Sequence, residues 1–149
     1  MPILNYTTSV EAIKTVGQIQ GILVAHGARS IFLNYDDGGY LKSLSFIVPT
    51  PEGDLPVRLP VDVDAVQKIM TRQGIPRRLQ NKPQAVRVAW RITKDWVEAQ
   101  MAILEAHMVK MEQIFLPYII VKDNKTLFQS FEEQRGFFLT QGESPQSQQ

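Results

Sequence analysis

Apolar side chains recur at Val10, Ile13, Val16, Ile19, Ile22 and Leu23, three or four apart, which is the repeat of one helix face. Thr8 and Glu11 stand ahead of most of this run with capping-box spacing, in which a hydroxyl and a carboxylate satisfy free backbone amides. Gly27 can close the helix in the left-handed conformation. Gly17 and Gly21 lie inside it, each costing about 1 kcal/mol against alanine. They point either to a closely packed neighbour or to a weak helix. The period then drops to two: Ile31, Leu33 and Tyr35 alternate, as do Leu44, Phe46 and Val48. Between them, Asp36-Asp37-Gly38-Gly39 tolerates the positive φ of a hairpin turn. Residues 49–54 make a second turn, and residues 55–60 a third strand that Pro56 and Pro60 confine to an edge.

Asp62 or Asp64 can cap a short helix carrying Ala65, Val66, Ile69 and Met70, ended by Gly74. Residues 75–82 link it to a longer one. Pro83 suits a first helical position, and nothing interrupts the helical repeat before Pro117. The pattern thus predicts a helix of about 33 residues, roughly 50 Å long. Val86, Ala89, Trp90, Trp96, Val97, Met101, Leu104, Met108, Met111 and Phe115 fall on its broad apolar face. Such a stripe reads as core rather than as a cofactor site. It outruns three short strands, so the pattern predicts a homo-oligomer burying part of the Trp96 to Phe115 stretch. Thr126 can cap a last short helix, and residues 141–149 read as a disordered tail. The fold class is α+β, in one domain over residues 1–140: an N-terminal helix, a three-stranded antiparallel meander, a short helix and a long helix.

The chain has no cysteine, which excludes a disulfide framework, a thiolate zinc site and thiol chemistry. No apolar run approaches the ~18 residues of a membrane-spanning helix, and the first residues lack a signal-peptide core. The expectation is a soluble cytoplasmic protein without a membrane partner. The net charge of +1 hides a segregation. Lys68, Arg72, Arg77, Arg78, Lys82, Arg87, Arg91 and Lys94 all fall within residues 65–94, which contain no Asp or Glu. The rest of the chain carries eight basic and all fifteen acidic side chains. Either the basic segment meets an anionic partner, or its charges pair in the fold with the acidic remainder.

The polar face of the long helix runs Arg87, Arg91, Lys94, Glu98, Glu105, Glu112: basic first, acidic later. A helix N-terminus already carries about half a positive charge, so this order opposes the helix dipole. Asp95 can pair with Arg91 at i, i+4, and Glu98 with Lys94 or Arg91. Arg77, Arg78, Lys82 and Arg87 have no local partner. Guanidinium forks grip phosphates in bidentate fashion, and helix N-terminal amides favour anions. Arg77, Arg78, Lys82, Arg87, Arg91 and Lys94 are therefore the candidate phosphate-binding residues, with Tyr35 and Tyr40 as candidate base-stacking partners. No catalytic residues are apparent. His26 and His107 lack partners at ligand spacing, the acidic hairpin is explained by turn chemistry, and neither a phosphate-binding loop nor a nucleophile elbow is present. No metal or cofactor is expected.

The stretches Asn5–Val10 (NYTTSV), Lys14–Ala28 (KTVGQIQGILVAHGA), Arg87–Gln100 (RVAWRITKDWVEAQ) and Phe115–Tyr118 (FLPY) resemble a family of small proteins encoded by bacteriophages and bacterial mobile elements. The resemblance runs from Asn5 to about Tyr118. It implies a bacterial host cytoplasm and a task such as DNA handling or counteracting host defence. It carries over no catalytic residue.

Three readings follow. The first is a non-enzymatic binding protein whose basic segment engages nucleic acid, which calls for an open positive face and salt-sensitive binding. The second is a counter-defence protein that sequesters a nucleotide signal, which calls for a closed pocket, or that blocks a host defence protein. The third is an oligomeric structural protein whose basic stripe meets its own acidic surface.

Overall fold

The computed structural model describes residues 1–136, and the tail expected at 141–149 lies outside them. The chain folds as α1 (Ala12–Ala25), β1 (Ser30–Tyr35), β2 (Leu41–Thr50), β3 (Gly53–Arg58), α2 (Val63–Arg72), α3 (Lys82–Glu105), α4 (Met111–Phe115) and α5 (Leu127–Glu133). The strands form an antiparallel meander in the order β1-β2-β3. This is the expected α+β order. Among the described residues, no helix is long and apolar enough to cross a membrane.

Turn and cap chemistry explains where most elements begin and end. The Asp36 carboxylate accepts the Gly38 and Tyr40 amides, both at 2.9 Å, and the Asp36 amide bonds to the Tyr40 carbonyl. That closes the first hairpin. Asp62 caps α2 through the Ala65 amide. Thr126 and Gln129 form a reciprocal capping box at α5. Gly27 (φ +109°) ends α1 where a side chain would be strained.

α3 sits at the centre. Val86, Trp90, Val97 and Met101 pack with Val16, Ile19 and Leu23 of α1 and with Leu44, Phe46 and Val57 of the sheet. The Trp90 indole donates to the Leu41 carbonyl at 3.2 Å, so its polar edge is satisfied in the core. Ala85 and Val88 form a second cluster with Met70 and Ile75, flanked by Ile3 and Tyr6. The first half of α3 is therefore enclosed by α1, α2, the sheet and the N-terminal segment.

Three expectations are corrected. The long helix stops at Glu105 rather than running to Phe115. His107 takes a left-handed conformation (φ 59°), its amide bonds to the Leu104 carbonyl, and the Met108 amide reaches back to Ile103. This is a Schellman ending with histidine where glycine is usual. It lets the chain fold back, so that Phe115 packs edge-on against Phe46 (5.2 Å) and Trp96 (5.9 Å), with Tyr118 also on Trp96. The apolar face assigned to a second copy is thus largely covered by the chain's own residues 111–118, while Met108 stands exposed.

Secondly, Thr8 and Glu11 form no capping box. Helix α1 begins at Ala12, with Glu11 at its cap and no side-chain bond there. The Tyr6 and Thr8 carbonyls are held by the Gln84 side chain, which keeps this stretch out of the helix. Thirdly, Ile13 is 60% exposed, because the buried face of α1 runs through Thr15, Val16, Ile19 and Leu23. Gly17 and Gly21 are also exposed, and a Cβ at either meets nothing within 4 Å. No described part of the chain makes the close approach their spacing suggests.

Candidate nucleic-acid interface

The six candidate cations separate into two groups. The four at and beyond the start of α3 are held by neighbours. Lys82 pairs with Asp36 at 2.7 Å and lies 5.0 Å from the centre of the Tyr40 ring. The Lys82 hydrogen bond, followed by the Tyr40 amide, holds the Asp36 carboxyl below its ordinary pKa, and Asp36 in turn raises that of Lys82. Arg87 donates from Nε to Gln84 Oε1 at 2.9 Å and lies 3.5 Å from Glu11. Arg91 donates to Gln18 at 2.7 Å. Lys94, one of the two partners expected for Glu98, pairs with it. The other expected pair does not form: Asp95 accepts from Asn5 at 2.8 Å. Lys82 thus ties α3 to the hairpin, Arg87 and Arg91 tie it to α1 and its cap, and Lys94 is paired within α3 itself.

The helix N-terminus is largely satisfied too. Asn81 caps it through the Gln84 amide at 2.9 Å, and Pro83 has no N–H to offer. Tyr40 is half-buried beside Lys82, whereas Tyr35 is exposed on β1.

Arg77 and Arg78 differ. Both are exposed, and among the described residues their side chains have no hydrogen-bond or salt-bridge partner. Their backbone, by contrast, is clamped. It forms a short 3-10 turn, Arg77–Leu79, with the Leu79 amide on Pro76 (2.8 Å) and the Gln80 amide on Arg77 (3.0 Å). The Gln80 side chain donates to the Ile75 carbonyl, and the Asn81 side chain donates to the Arg78 carbonyl at 2.9 Å. Ile75 is buried in the second cluster and Leu79 packs against it. A hydrogen-bonded turn therefore carries two guanidinium groups that have no partner among the described residues.

Lys68 and Arg72 are two further exposed cations shortly before this turn in the chain. They stand four apart on α2, opposite buried Met70, so they share its outer face. Both are exposed and lack a side-chain partner among the described residues. Gly74 (φ +64°) turns the chain between Arg72 and Arg77, and five residues span at most about 17 Å. Lys68 and Arg72 belong to the basic segment but not to the six candidate residues. Their i, i+4 spacing opposite Met70 was the available signal.

A cleft of about 760 Å³ lies beside Lys82 and Tyr40, between the first hairpin, the β3–α2 connection and α5. It is lined by Lys42, Arg58 and Lys82 on one side of the charge balance and by Asp36, Asp62, Asp64 and Glu132 on the other. Three cations against four carboxylates give a phosphate no net attraction. The chain matches no protein-family model, no curated protein and no solved structure.

Proposed function

We propose that this is a non-enzymatic binding protein that engages the phosphates of nucleic acid through Lys68, Arg72, Arg77 and Arg78. A bacterial cytoplasm is the setting that the resemblance to phage and mobile-element proteins implies. The observation that carries the reading is the contrast within one basic segment. Lys82, Arg87, Arg91 and Lys94 have internal partners, while Arg77 and Arg78 project from a clamped turn with none among the described residues. Holding the backbone in advance lowers the ordering cost of binding. Free guanidinium groups on an open surface suit a backbone that runs past them better than a small enclosed ligand.

Fluorescence anisotropy with labelled duplex DNA, single-stranded DNA and RNA tests this reading, with free nucleotides as competitors. Binding to at least one polymer is expected at low salt, with free nucleotide displacing it only at far higher phosphate concentration. Displacement by nucleotide at equal phosphate would favour nucleotide sequestration instead.

A further inference from the structure

We propose that the open edge of β1 is a dimerisation surface, on which a second copy of the chain lays its own β1 antiparallel to give one six-stranded sheet across a two-fold axis. The two edges of the sheet are built differently. β3 contains Pro56, and the returning chain covers it: the Ile120 amide donates to the Pro56 carbonyl at 2.8 Å, and Ile119 bridges to Val57. β1 has neither protection. Ser30–Tyr35 contains no proline and no charged residue, and among the described residues only β2 pairs with it. Phe32 and Tyr35 are each 53% exposed. A bare strand edge presents a row of unpaired N–H and C=O groups, and monomeric proteins guard such edges with lysine, proline or a covering segment.

Charge favours a second copy as the occupant. Antiparallel pairing about a two-fold axis sets each residue opposite one on the same face of the partner strand. Any charge within the strand would then lie close to its own copy, and like charges across a ladder repel. β1 carries none. With Leu33 on the axis, Phe32 faces the partner's Asn34, Ile31 faces the partner's Tyr35, and Arg29 falls beside the partner's Asp37. Opposite charges therefore close both ends of the shared ladder. Both side chains are exposed; Arg29 donates only to the neighbouring Ala28 carbonyl, and Asp37 has no ion pair among the described residues.

Sedimentation over a concentration series reaching the high micromolar range tests the proposal. Wild type is expected to show a monomer–dimer equilibrium, with the dimer at twice the 16.9 kDa chain mass. Arg29→Asp and Asp37→Arg each set like charges at both ends of the ladder and are expected to weaken the dimer roughly tenfold. Combining them restores opposite charges and is expected to recover wild-type affinity. Phe32→Lys is expected to give a monomer with unchanged circular dichroism, since the side chain is outside the core. A wild type that stays monomeric overturns the proposal. So does a dimer indifferent to all three single substitutions, because it is held elsewhere, and a double variant no better than the singles overturns the Leu33-centred register.

Discussion

Gln84→Met tests how the start of α3 is held. Gln84 is 2% exposed. Its Nε2 donates to the Tyr6 and Thr8 carbonyls, both at 2.9 Å, and its Oε1 accepts from Arg87 Nε at 2.9 Å. Methionine keeps the length and approximate volume but makes none of these bonds. Each is worth about 1 kcal/mol net, and two part-buried carbonyls lose their donor, so the expected loss is about 3 kcal/mol. Against a typical domain stability of about 5–15 kcal/mol, that is a large fraction. Urea unfolding followed by tryptophan fluorescence measures it. The midpoint should fall by about 1–3 M with an unchanged slope, given slopes of about 1–3 kcal/mol per molar. A loss below about 1 kcal/mol would mean that residues 6–8 are not pinned to α3 through this side chain.

Phe115→Ala is expected to cost about 3–5 kcal/mol in the same assay, because Phe115 is fully buried against Phe46 and Trp96. A loss below about 1 kcal/mol would contradict the fold-back of residues 111–118. His26 supplies a pH test. Its Nδ1 lies 2.7 Å from the Ile22 carbonyl and its Nε2 lies 2.8 Å from Glu105. The Ile22 carbonyl and then Glu105 raise its pKa above the ordinary imidazole value. The folded state thus binds this proton more tightly than the unfolded one, and the stabilisation is present at low pH and lost as pH rises through the elevated value. Melting temperature should fall between about pH 6 and pH 8 more steeply in wild type than in Glu105→Gln; equal slopes would show that the contact is not formed in solution.

What was legible in the sequence is what local chemistry decides. The Asp36–Gly39 turn, the Asp62 and Thr126 caps and the Pro56 edge each depend on residues a few positions apart, and each stands where the pattern put it. The end of α3 was hidden because histidine occupies the left-handed position, so no glycine marked it. The absent capping box was hidden because Gln84, more than seventy residues away, holds the Tyr6 and Thr8 carbonyls. The same distance hid Glu11 and Gln18, which lie on or beside α1 and hold Arg87 and Arg91, although Gln84, the other partner of Arg87, is only three residues away. A list of cations along a chain does not distinguish those that brace helices from those that face solvent. That distinction moves the candidate surface from the face of α3 to α2 and the turn after it.

In the proposed function Arg77 and Arg78 contact phosphate, whereas Arg87 and Arg91 brace the fold. The most direct measurement is the salt dependence of duplex DNA affinity for wild type, Arg77→Gln/Arg78→Gln and Arg87→Gln/Arg91→Gln, with melting curves for each. Each phosphate contact contributes about −0.9 to the slope of log K against log salt. The first double variant is expected to lower the slope magnitude by about 1.8 and to leave the melting temperature within a degree or two of wild type. The second should keep the wild-type slope and melt several degrees lower. An Arg77→Gln/Arg78→Gln variant that is destabilised with its slope unchanged would show that these arginines brace the fold instead, and a wild type that binds no nucleic acid at low salt would rule out the phosphate contacts altogether.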